Sequence, residues 1–166
     1  MVVKNLLDIY PSVGGNIEKL TLGEVLNTNL ESQKYGLILN AVEAQELIET
    51  RNRVIRSHGR VELSIGVVNS IVSTFCSSSY INQDDYAATL NELLDIFYYM
   101  KNETEDTIGD DELLGIMKDY FNNSCRGSLE LLKNREMTGY ADKLRRQNQA
   151  REYAPERNSD DDQDIY

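Results

Sequence analysis

From Asn40 onward, apolar residues return every three or four positions between short polar breaks, which is the period of helices packed on a common core. Asn40 followed by Glu43 makes an N-cap with its capping-box partner, and Ala44, Leu47, Ile48, Arg51, Val54 and Ile55 share one face behind it. Arg53 and Arg56 suit the negative end of that helix, His58 follows, and Gly59 suits the left-handed position beyond the cap. Val61, Ile65, Val68, Ile71, Val72 and Phe75 predict a second helix from about Val61. Its Val and Ile content makes a strand the rival, and its length favours the helix. Asn82, with Asp84 and Asp85 in the first turn, starts a third helix with the stripe Tyr86, Leu90, Leu93, Leu94, Phe97 and Met100. A fourth runs from about Asp110 with Leu113, Leu114, Met117, Tyr120 and Phe121. Ser128 caps a shorter segment carrying Leu129, Leu131 and Leu132, and the pattern leaves open whether helix continues through Met137, Tyr140 and Leu144.

The two ends are less regular. Within residues 1–39, Thr21 and Glu24 form a capping box for a short helix through Val25 and Leu26. The KYGLIL run at 34–39 is either extended or a buried connector. Beyond Arg145 the apolar period stops, so residues 145–166 read as a fraying helix end and a disordered polar tail. The expected fold is all-α: an irregular single-domain bundle of about five or six helices spanning residues 1–144.

Composition sharpens this picture. A chain of 166 residues fits one domain and can bury roughly 70% of its unfolded surface, so neither disulfide nor structural metal is required. Pro11 and Pro155 enclose a long proline-free stretch, which favours helices. The net charge of −11 argues against nucleic acid and anionic membranes as partners, because both require a Lys/Arg surface. It permits a basic protein partner, a divalent cation, or solubility alone. Arg145, Arg146, Arg151 and Arg157 are too sparse for a nucleic-acid arm, and Asp160, Asp161, Asp162 and Asp164 offset them. No apolar run is long enough for a signal peptide or a membrane span. Cys76 and Cys125 lack CxxC spacing and read as reduced, partly buried thiols, so the expected compartment is the cytoplasm.

Candidate chemistry is thin. A single histidine excludes multi-imidazole metal sites, and His58 reads as a helix-end residue. The phosphate loops GxxxxGK[ST] and GxGxxG and the nucleophile elbow GxSxG are all missing. Residues 84–112 carry ten carboxylates against the single Lys101, which makes an acidic face the first candidate site, represented by Asp106, Asp110 and Asp111. An EF-hand centred on Gly109 fails, because Ile108 and Gly115 fall at ligand positions. Glu92 and Asp95 lie three apart on one helix face, within NELLDIFYYM. That stretch resembles the second motif of the all-α nucleoside-triphosphate pyrophosphohydrolases of the MazG kind. The resemblance implies Mg²⁺ held by Glu92 and Asp95 together with Glu43 and Glu46 of the facing helix. Ala44 and Gln45 interrupt the adjacent glutamates of that family's first motif, and a whole helix separates the two motifs here. The phenols of Tyr98 and Tyr99 are expected at the core boundary with their oxygens wet.

GRVEL (59–63), TFCSSSYINQDDY (74–86), NELLDIFYYMKNE (91–103), DDELLGIMKDYF (110–121) and CRGSLELL (125–132) together resemble a family of small uncharacterised proteins from Firmicutes. The resemblance spans roughly residues 25–140. It implies a bacterial origin and a domain of unknown function, and brings no catalytic residue. The expected function is therefore a non-enzymatic, cytoplasmic protein–protein interaction module, binding a partner or itself without a cofactor. The alternatives are the Mg²⁺-dependent enzyme and an acidic mimic of nucleic acid.

Overall fold

A computed structural model describes residues 21–154. Among them every regular element is helical. Residues 21–27 and Asn29–Ser32 are helical and lead through a 3₁₀ turn, Gln33–Tyr35, into a short connector. The long elements are α1 (Ala41–Ser57), α2 (Gly66–Phe75), α3 (Tyr86–Glu103), α4 (Asp110–Asn122) and α5 (Thr138–Glu152). The expected all-α bundle is what forms.

α3 is the central element. Tyr86, Leu90, Leu93, Leu94, Phe97 and Met100 are fully buried, and Ile96, Tyr98 and Lys101 extend burial around its C-terminal half. A helix surrounded in this way shows a weak apolar stripe, because several faces are covered. α1 packs chiefly on α3, and α2 bridges α3 and α4. Phe75 of α2 meets Phe121 of α4 edge to face, with ring centroids 5.6 Å apart. Such a pair adds about 0.5–1.5 kcal/mol beyond area burial.

α1 begins as expected: Asn40 Oδ1 accepts the Glu43 amide at 2.8 Å, and Glu43 Oε2 accepts the Asn40 amide at 3.1 Å. It ends at His58, with Gly59 left-handed. α2, by contrast, starts at Gly66 and not at Val61. Residues 61–65 take no helical turn, because Arg51 draws the Glu62 and Ser64 carbonyls to itself. α3 likewise begins after Asp84 and Asp85, whose turn is held by Asn82 Oδ1 accepting the Asp85 amide at 3.2 Å.

Ser128 caps the last helical stretch, accepting the Leu131 amide at 3.2 Å. From Leu129–Leu131 the chain passes through a π-helical stretch, Leu132–Met137, into α5. Leu132 and Met137 stand five apart and both are fully buried. The wider π turn puts them on one face, where α-helical spacing would rotate one away. Thr138 Oγ1 donates to the Lys133 carbonyl five residues back, at 2.8 Å. Helix continues to Glu152, through the stretch from 145 expected as a fraying helix end, and Arg145 pairs with Glu103 and Asp142. The acidic cluster at 160–164 lies outside the described residues.

Candidate functional site

The polar side chains that converge lie where the C-terminal ends of α1 and α3 meet the start of α4. Each of the two helices ends in a Schellman turn. After α1, the Gly59 amide donates to the Arg56 carbonyl and the Arg60 amide to that of Ile55. After α3, the Glu105 amide donates to the Asn102 carbonyl and the Asp106 amide to that of Lys101. Glu105 and Asp106 are both left-handed, at φ 51° and 58°, although neither is glycine. Each such residue costs roughly 1 kcal/mol of backbone strain.

What holds that turn is charge. Arg60 Nη1 and Nη2 each donate to one Asp106 carboxylate oxygen at 2.8 Å, a two-pronged fork. Lys101, nearly buried, donates to the Ile108 carbonyl at 2.8 Å and pairs with Asp110 at 2.8 Å and Asp106 at 3.5 Å. The Arg60 guanidinium, then Lys101, hold the Asp106 carboxyl below its ordinary value, and the Asp106 carboxylate raises that of Arg60 in return.

The same cluster reaches under residues 60–65. Tyr98, fully buried, donates its hydroxyl to Glu62 Oε2 at 2.5 Å, and Arg60 lies 5.7 Å from the centre of its ring. Burial first, and the Glu62 hydrogen bond second, raise the Tyr98 phenol above its ordinary value. The wet phenol expected at this position is thus corrected to a dry one bound to a carboxylate. Arg51 Nη2 donates to the Glu62 carbonyl at 2.6 Å and the Ser64 carbonyl at 2.8 Å. The result is a backbone segment pinned from beneath with its intervening apolar side chains outside. Leu63 is 99% exposed and Val61 87% exposed, whereas Val61 had been expected to face the core. Beside them runs an open groove of about 860 Å³, with Leu63 and Val67 on one wall and Asp111 and Glu112 on the other.

The expected acidic face therefore divides. Asp106 and Asp110 are tied to Arg60 and Lys101, while Asp111 is exposed and in no ion pair among the described residues. The Mg²⁺ reading needs Glu43, Glu46, Glu92 and Asp95 to converge on one point. Glu43 is engaged in capping α1, Asp95 stands 4.0 Å from Arg53, and Glu46 and Glu92 face solvent. No group of three or more His, Cys, Asp or Glu among the described residues is placed to hold a metal ion. Arg51, Glu62, Tyr98 and Lys101 were not singled out as site residues. Two had a signal: Arg51 sits within the apolar stripe of α1, and Lys101 is the one base in the acidic segment.

Cys76 and Cys125 are both free and buried, and burial raises both thiols above the ordinary value. Among the described residues no helix is long and apolar enough to cross a membrane. Comparison with curated proteins and with solved structures finds no match. Residues 24–150 match the model of a family of unknown function, and the chain belongs to that family, DUF6323.

Proposed function

We propose that the chain is a cytoplasmic protein-binding module whose docking surface is the pinned segment 61–64 together with the acidic first turn of α4. One observation carries this reading: Leu63 is the most exposed large apolar side chain among the described residues, and it rides on backbone already fixed by Arg51. Apolar surface on a pre-ordered backbone loses little conformational freedom when a partner covers it. Asp111 and Glu112 select a partner that carries basic residues next to an apolar one, in keeping with the net charge of −11. Asp106 and Asp110 then act from behind, by fixing the surface. The two free, buried thiols support a reducing compartment.

The test is to pan a library of random peptides displayed on phage against the full chain. Enriched sequences should pair Lys or Arg with an aliphatic or aromatic residue, and their binding should be lost with Leu63→Glu. Failure to enrich any sequence, or equal binding to Leu63→Glu, overturns the proposal.

A further inference from the structure

Two short connectors of the bundle are held by side chains that bond to their backbone, and they differ in one respect. In the first, Leu37 and Leu39 are buried and Ile38 is exposed, the alternation of an extended chain. Both of its edges are closed by side-chain amides. Asn29 donates to the Leu39 carbonyl and accepts the Leu39 amide, each at 2.8 Å. Gln83 donates to the Ile38 carbonyl at 2.9 Å and accepts the Ile38 amide at 2.8 Å. Each amide does what a neighbouring strand would do.

The second connector, 61–64, has one edge closed. The carbonyls of Glu62 and Ser64, two residues apart, meet the same Arg51 nitrogen. That spacing puts both on one edge, so the backbone groups of Val61 and Leu63 point to the other. Those groups take no hydrogen bond among the described residues. An exposed edge of unpaired amides and carbonyls is a template for another extended chain, and the side chains that stand outward beside it, Val61 and Leu63, carry no charge. Val61 and Leu63 are the outward side chains, and Glu62 is turned inward onto Tyr98.

Building on the docking surface proposed above, we infer that the partner binds by strand addition: an extended segment pairs with the backbone of Val61 and Leu63 and sets a basic side chain against Asp111 and Glu112. Main-chain pairing supplies affinity, and the apolar and acidic walls of the groove supply choice of sequence. The occupant is thus a basic, extended peptide segment of another protein.

The probe is the tightest peptide recovered from the displayed library, synthesised with single N-methyl groups along its length and titrated into the full chain. Methylation at every second position should weaken binding about tenfold or more, with the positions between changing less than about twofold. Hydrogen exchange at the Val61 and Leu63 amides should slow on binding while that of Glu62 does not. Tight binding with no two-residue period, or with dependence on every third and fourth residue, overturns strand addition and leaves the docking surface standing. A library that yields no peptide sensitive to Leu63→Glu overturns both. Amides of Val61 and Leu63 already slow in the free, dilute chain, or slowing as the chain is concentrated, assign the edge to this chain or to a second copy and likewise overturn the inference.

Discussion

Arg60 and Asp106 occupy the same position, the second residue past the cap, in the Schellman turns that end α1 and α3, and they face one another in a two-pronged ion pair at 2.8 Å. The turn geometry explains the pairing. Each turn sends its chain sideways from the helix end at a fixed angle, so two helices that finish at the same level present these positions to each other. The pair thereby fixes the relative level of α1 and α3 and, through Arg60 and Glu62, the start of the exposed segment.

Asp106→Asn keeps the shape and removes one charge from this fork. Because the Asp106 carboxylate is half exposed, the loss is modest, about 1 kcal/mol or a few degrees in Tm. Its pH dependence is more diagnostic. A carboxyl whose folded pKa lies below the unfolded value near 3.9 contributes stability that is full above that value and is lost as pH falls through the folded one. Urea midpoints of wild type and Asp106→Asn should differ at pH 7 and converge below about pH 4. A constant gap across that range contradicts the pairing.

Tyr98→Phe retains the ring beneath Arg60 and deletes only the hydroxyl that meets Glu62. The expected cost is about 1–2 kcal/mol, since a charged acceptor loses its buried donor. Amide exchange at 61–63 should quicken with the core amides of α3 unchanged. Equal quickening throughout points to general destabilisation and not to release of Glu62.

Glu105 holds the left-handed position that glycine usually fills, at φ 51°. Glu105→Gly should raise stability by about 0.5–1 kcal/mol through relief of that strain. Denaturant titration decides, and a loss of stability shows that the carboxylate contributes more than the strain costs.

Gly127 is left-handed at φ 81°, and a Cβ there would lie 2.5 Å from the Cβ of Tyr80, whose ring packs on Phe121. Gly127→Ala therefore costs about 2 kcal/mol or more. Gly115, in α4 with open space around its Cβ position, gives the opposite sign: Gly115→Ala should add about 0.5–1 kcal/mol. Thermal melts of the two variants should move in opposite directions.

Local signals made the helices legible. Asn40 with Glu43, Gly59, and Ser128 mark ends by short-range hydrogen bonding, so sequence spacing suffices to place them. The start of α2 is not legible because Val61 keeps helical register with Ile65 by coincidence, while the Arg51 guanidinium, 11 residues before Glu62, dictates the backbone there. The acidic segment was visible as composition, but its division was not. Whether Asp106 meets Arg60 or solvent depends on where two helices end in space, a relation between residues 46 apart. Arg51 in an apolar stripe was the readable trace of the site, since a guanidinium on a buried face needs oxygen partners nearby.

The most direct measurement is calorimetric titration of the selected basic peptide into the wild-type chain, Leu63→Ser, and the double variant Asp111→Asn with Glu112→Gln, at low and high salt. The docking surface predicts roughly tenfold weaker binding for Leu63→Ser, and weaker binding with a flattened salt dependence for the double variant. Affinity and salt dependence unchanged in both variants would contradict it.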